Sequence, residues 1–386
     1  MFGTKNPFYF IVLLGLVSLF SDMTYESARS ITGPYLFYLG ATAAVVGFAS
    51  GFGEFVGYGL RLFSGLIADK TKRYWNLMLI GYALNLFSIP ALAFVNSWQG
   101  ALVLIILERV GKALRTPPRD TLLSYATSQI GRGLGFGIHE AMDQIGALVG
   151  PLTMGFVLYL EKGYKDAFLI LLGPAFIALL FLLLARKFYP SPQNFEKSSS
   201  QLTVKGFGRS FWFYLLGMSF LGAGFVDFPL IGYHLEKSSL LSKEWIPLLY
   251  ALSMGVDALS ALFLGFLFDR IGLKAVILGL IFSLGAPPLV FLGGVKLIFL
   301  GMIVWGIGLG AQESIMRAFI AQLVPSEKRG TGYGLFNAFF GLFWFLGSLS
   351  LGFLYDFSIF ALVGLSLLLQ TLSLPFVLRS SPREKC

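Results

Sequence analysis

Predominantly apolar stretches of about twenty residues or more, separated by short polar breaks, recur along the whole chain. A helix rising 1.5 Å per residue needs about 20 such residues to cross the hydrocarbon core of a bilayer, so each stretch reads as a membrane span. Twelve are expected, near 7–38, 42–68, 75–95, 98–116, 132–160, 166–187, 209–235, 244–268, 273–293, 296–322, 329–355 and 358–378. The longer ones must tilt, bend or project beyond the hydrocarbon. Tyr189 to Gly208 is the longest polar stretch, and its Pro, Ser and Lys content marks a linker. The expected fold is all-α and polytopic: two six-helix bundles, 1–187 and 209–386, joined by a cytoplasmic linker at 188–208, with a short tail after the last span.

Composition narrows the class. Of 386 residues, 56% are hydrophobic and 13% charged, roughly half the charged share of a soluble domain. The mean hydropathy is +0.76. Too few charges remain to coat a water-facing globule, and 40 phenylalanines exclude disorder. With the N-terminus inside, 19 of the 29 Lys and Arg residues fall in cytoplasmic segments and five in external ones. The positive-inside rule then puts both termini in the cytoplasm of an inner membrane, which accounts for the net charge of +9 without nucleic acid. The first apolar run continues as a long helix and has no small-residue cleavage site, so it is expected to stay as a span. A single terminal Cys386 and two histidines leave no basis for a disulfide or a metal site. Walker, Gly-x-Ser-x-Gly and His-Glu-x-x-His motifs are missing from the sequence, so neither an enzyme nor a cofactor is expected. An ion gradient is the driving force left.

The two halves repeat. Arg132-Gly133-x-Gly135-Phe136-Gly137 returns as Arg329-Gly330-x-Gly332-Tyr333-Gly334, and Gly150 and Gly155 return at the same spacing as Gly347 and Gly352. Gly65-x-x-x-Asp69-Lys70 returns as Gly265-x-x-x-Asp269-Arg270. Two motifs at nearly one offset indicate duplicated six-span units. The second loop, Gly265-Phe-Leu-Phe-Asp269-Arg270-Ile-Gly272-Leu-Lys274, resembles the G-x-x-x-D-R/K-x-G-x-R/K signature of the major facilitator superfamily. The first loop keeps the Gly, the Asp and the first base but has Lys72 where the second Gly stands. The resemblance implies pseudo-symmetric halves, a substrate cavity at the midplane and a gate at these loops, formed by Gly65, Asp69, Lys70, Gly265, Asp269, Arg270 and Gly272. Gly146-Ala-Leu-Val-Gly150-Pro151 is similar to the G-x-x-x-G-P motif of drug/proton antiporters, although the expected double glycine after the proline is reduced to Gly155. In any membrane protein such small residues also serve close helix packing.

Charges inside spans carry the candidate chemistry, because each costs at least about 2.5–3.5 kcal/mol at the bilayer centre. The first half places Asp22, Glu26, Glu54, Glu108, Glu140 and Asp143 with Arg29, Arg61, Arg109 and Lys112. The second half places Asp227, Asp257, Glu313 and Arg317. Asp22, Glu26 and Arg29 share one helix face, and Glu108–Lys112, His139–Asp143 and Glu313–Arg317 stand one turn apart. Asp22 and Asp143 have the fewest bases nearby on their own helices, so they are the expected proton carriers, with Glu54 and Glu140 next. Glu26, Arg29, Arg109 and Lys112 are expected to bind substrate. Pro117 and Pro118 should end or kink the fourth span, leaving Arg115, Arg119 and Asp120 as a cytoplasmic cluster of the gate. The expected function is proton-coupled export of a small amphipathic organic solute by a monomer in the bilayer. Uptake of an anionic or zwitterionic solute, and a transport-inactive sensor or assembly protein, are the alternatives.

Overall fold

The computed structural model describes residues 6–130, 132–191, 207–324 and 329–380. Most of the linker expected at 188–208, and the last six residues of the tail, lie outside these. Among the described residues every regular element is helical. The first half contains α1 (Pro7–Tyr38), α2 (Ala43–Thr71), α3 (Tyr74–Ala91), α4 (Trp98–Ile130), α5 (Arg132–Tyr159), α6 (Tyr164–Ile170) and α7 (Leu172–Phe188). The second half contains α8 (Arg209–Gly224), α9 (Phe228–Ser238), α10 (Trp245–Ile271), α11 (Leu273–Phe291) and α12 (Val295–Glu313). It ends with α13 (Ile315–Leu323), α14 (Arg329–Phe357) and α15 (Ile359–Arg379).

Eleven helical stretches among the described residues are long and apolar enough to cross a membrane, α6 with α7 and α8 with α9 each forming one stretch. A helix is what the bilayer demands, since it satisfies every backbone polar group within its own segment. The stretch that fails the test of composition is α4, which carries Glu108, Arg109, Lys112, Arg115, Arg119 and Asp120 within four turns.

That helix also corrects the sequence reading. It does not end at Pro117 and Pro118 but runs through both to Ile130. Pro117 has no N–H to give the Ala113 carbonyl, and the buried Ser64 hydroxyl of α2 donates to that carbonyl at 2.7 Å instead. Arg115, Arg119 and Asp120 therefore stand on helix, not in a loop. Two further spans are broken. The stretch read as 209–235 opens at Phe225–Asp227, where the buried Asp227 carboxylate accepts the Phe228 N–H at 2.9 Å and caps α9. The stretch read as 296–322 opens at Ser314, which puts Glu313 and Arg317 on different helices. The side chains of Arg317 and Asp69 lie outside the described ones.

The chain forms two compact units, one of residues 1–31 and 56–199, the other of residues 32–55 and 200–386. In the first, α3 and α4 pack backbone to backbone. A Cβ on Gly81 would stand 2.7 Å from the Arg115 nitrogen, and one on Gly111 would collide with the Asn85 backbone. α5 meets α1 in the same manner, with Gly146 against the Leu19 carbonyl and Gly150 against the Met23 carbonyl. In the second unit, Asp356 at the end of α14 caps the start of α2, accepting from Ala43 N at 3.2 Å and Ala44 N at 2.9 Å. Lys72, between α2 and α3, adopts φ 56°, and Gly272, between α10 and α11, adopts φ 55°. Glycine takes positive φ freely, whereas a residue with a Cβ does so at a cost of about 1–2 kcal/mol in the left-handed helical region.

Ser64→Ala should destabilise the protein by about 0.5–2 kcal/mol, because it strands the Ala113 carbonyl. The loss should shrink in a Pro117→Ala background, where the substituted residue supplies the missing backbone N–H. Thermal unfolding of the parent, the two single variants and the double variant in detergent measures the cycle.

Candidate functional site

The charged residues of α4 meet α1, α3 and α5 inside the first unit, in an order set by helical rise. Ten residues separate Arg109 from Arg119, about 15 Å of height, and each cation finds its own level.

At the first level, Asn85 of α3 donates its amide to the Glu108 carboxylate and, at 3.1 Å, to the Glu108 backbone carbonyl. Arg109 Nε lies 3.3 Å from Glu108 Oε2. The Arg109 guanidinium is 4.9 Å from the centre of the Tyr25 ring, and Lys112 Nζ is 3.6 Å from the same centre. One aromatic ring of α1 thus meets two cations of α4. Asp22 and Glu26, both on α1, act on Lys112 electrostatically from across the helix interface.

One turn on, Arg115 is 1% exposed. Its guanidinium lies 4.4 Å from the Tyr82 ring of α3, and Nη2 stands 3.7 Å from Asp22 Oδ1. At the third level, Arg119 Nη1 donates to Ser18 Oγ at 3.3 Å, and Ser18 donates in turn to Asp143 Oδ1 on α5. Arg119 also pairs with Asp120 at 2.9 Å. His139 is buried on α5 one turn before Asp143, and the two act on each other electrostatically.

The structure therefore brings together Asp22, Glu26, Glu108, Arg109, Lys112, Arg115, Arg119, Asp120, His139 and Asp143. Asp22 and Asp143, which have few bases on their own helices, are both met by arginines from α4, and the two carboxylates act on each other. Glu54 belongs to the second unit, and Glu140 is exposed. Of the residues expected in the gating loops, Gly65, Asp69 and Lys70 stand on α2 and Gly265, Asp269 and Arg270 on α10, because both helices run on past the signature. Lys70 is exposed, and Arg270 stacks on Phe266 of its own helix at 4.2 Å. Gly65 lies against Pro117, whose Cβ would be 3.6 Å from a Cβ at that position. Sequence reasoning missed Ser18, Tyr25, Tyr82 and Asn85. Ser18 stands one turn before Asp22 and Asn85 is a polar residue in the middle of an apolar helix, so both left a trace in the spacing.

The described helices, eleven of their stretches long and apolar enough to cross a bilayer, define an α-helical, multi-pass membrane protein. The family model of the Major Facilitator Superfamily matches residues 11–348 and again 228–385. The chain belongs to that superfamily, and it is a secondary transporter, not an enzyme. An uncharacterized protein of Mycobacterium tuberculosis strain H37Rv is 39% identical over 372 residues, covering 95% of this chain and 91% of that one. An uncharacterized MFS-type transporter of Methanocaldococcus jannaschii is 27% identical over 358 residues, covering 90% and 89%. The solved nucleoside transporter NupG matches the fold with a TM-score of 0.76 at 16% identity, over 96% of this chain and 98% of that one.

Arg115→Gln and Asp22→Asn should each destabilise the protein by about 2–5 kcal/mol, since each strands the other's buried charge. The double variant should lose less than the two single losses combined, a coupling that chemical or thermal unfolding in detergent reads directly.

Proposed function

We propose that the chain couples proton movement to export of a small amphipathic organic solute by alternating access, in the manner of the drug/proton antiporters of its superfamily. The observation that carries this reading is the pair of carboxylates held by α4 bases: Asp143 through Ser18 to Arg119, and Asp22 to Arg115. A proton taken up by Asp143 cancels the charge that Ser18 and Arg119 hold, which frees α5 from α1 and α4 at that level. Loss of the proton restores the bond. Switching a paired charge in this way ties a change in helix contacts to each proton.

In this reading Asp22 and Asp143 carry protons, with Glu54 and Glu140 as further candidates. Glu26, Arg29, Arg109 and Lys112 face the solute, and Gly65, Asp69, Lys70, Gly265, Asp269, Arg270, Gly272 and Asp120 act in gating. Arg115 and Arg119 join the gate to the coupling acids, which they hold. Gly146, Gly150 and Pro151 serve helix packing. The charged α4 is the twelfth span, the two bundles are pseudo-symmetric about an axis along the membrane normal, and both termini lie in the cytoplasm of an inner membrane. The transporter acts as a monomer, driven by the proton gradient with no cofactor and no nucleic-acid partner. One observation favours a second reading, symport or uptake of an anionic or zwitterionic solute: Arg109 and Lys112 both stand against the Tyr25 ring and together suit an oxyanion.

In proteoliposomes subjected to a pH jump, Asp22→Asn and Asp143→Asn should each abolish uphill transport while leaving solute exchange measurable. Glu26→Gln should instead weaken binding. If both asparagine variants transport uphill with a normal pH dependence, coupling at this pair is refuted, and Glu54 or Glu140 becomes the site. Tyr25→Ala should raise the solute concentration for half-maximal exchange by about tenfold if the cations on its ring bind solute.

A further inference from the structure

Away from this cluster, the first unit has a second concentration of charge that the transport reading leaves unused. Lys72 and Arg73 in the turn between α2 and α3, and Arg186 and Lys187 in the last turn of α7, line one cavity of about 620 Å³. Trp75 and Leu183 form part of its wall, and none of its described lining residues is acidic. All four bases are exposed.

The position is the edge of the bilayer. The cavity lies where two candidate spans, Tyr74–Phe94 and Tyr164–Phe188, end together. Leu183 and Phe188, beside the bases, are 52% and 48% exposed, as residues facing lipid are. The pocket is also built. The Trp75 indole N–H donates to the Pro190 carbonyl at 3.2 Å, which ties the segment after α7 to the start of α3. The Tyr189 hydroxyl donates to the Asn6 carbonyl at 2.9 Å, tying the same segment to the start of α1. Lys72 Nζ rests 3.5 Å from the Tyr74 hydroxyl.

The positive-inside rule asks for bases in such loops, and cations suit a helix C-terminus such as that of α7. Neither asks for a concave pocket, and neither explains Lys72. Its φ of 56° is positive, as is that of Gly272 at the corresponding place after α10. Glycine is the unstrained choice there, and lysine adds one thing that glycine lacks, a cation at the cavity. Strained backbone of this kind concentrates at ligand clamps and other functional sites.

We propose that this cavity binds the phosphate oxyanion of an anionic phospholipid headgroup, its acyl chains lying along the exposed Leu183 and Phe188. Two arginines and two lysines on two chain segments suit a headgroup with one or two phosphates, and basic pockets between the ends of membrane helices bind such headgroups.

The test uses the full-length protein in a neutral detergent. Lipid adducts are counted by native mass spectrometry, and melting temperature is followed with added cardiolipin, phosphatidylglycerol, phosphatidylcholine or inorganic phosphate. The anionic lipids should bind and raise the melting temperature more than phosphatidylcholine, and the difference should fall with salt. Arg186→Gln/Lys187→Gln should weaken their binding about tenfold or more. Lys72→Gly should show opposite signs on two readouts: a higher melting temperature without lipid, because strain is relieved, and a smaller gain from cardiolipin. Equal gains from phosphatidylcholine, or undiminished anionic-lipid gains in all the variants, would overturn the proposal. So would inorganic phosphate reproducing the full gain, since it would assign the cavity to a soluble anion.

Discussion

A cation buried in an apolar bundle must meet electrons supplied by another helix, and the first unit is arranged around four of them. Arg109, Lys112, Arg115 and Arg119 rise through α4 at nearly one per turn, and none could stay charged in hydrocarbon alone. α1 answers with Tyr25, Asp22 and Ser18, α3 with Tyr82, and α5 with Asp143. Close packing makes these meetings possible. Gly81 and Gly111 bring α3 against α4, so Asn85 reaches Glu108 and Tyr82 lies over Arg115. Gly146 brings α5 against α1 just beyond the bond between Ser18 and Asp143.

The continuity of α4 is part of the same arrangement. Had the helix stopped at Pro117, Arg119 would have left the bundle and the bond to Ser18 could not form. Ser64 accepts that burden from α2 by taking over a single hydrogen bond. One hydroxyl thus allows a proline pair to sit in mid-helix while the charges on either side stay in register. The breaks at Asp227 and Ser314 show the opposite outcome in the second unit, where a cap or a bend ends one helix and starts the next.

A ladder of paired charges also suits a transporter better than a row of isolated ones. Isolated charges would be held at great cost and could not exchange partners, whereas neighbouring pairs at successive levels can trade them as contacts shift. Ser18 stands between a base and an acid on two other helices, so a change in either is felt by α1.

The sequence by itself determined the membrane class, the helical architecture and the superfamily, because hydropathy, charge bias and a loop signature are properties of short stretches and survive without knowledge of their neighbours. It also showed that most charges within apolar runs fall in the first half, since such charges are visible wherever they fall. It could not assign partners. Spacing along one helix left Asp22 and Asp143 with few bases, yet Arg115 and Arg119 of α4 meet those acids. Which way each helix is turned, and whether α4 survives its prolines, depend on side chains tens of residues away, such as Ser64, Gly111 and Gly146. Only the tertiary structure decided that, because a contact between helices is the joint product of two surfaces and neither surface is written in the stretch that needs it.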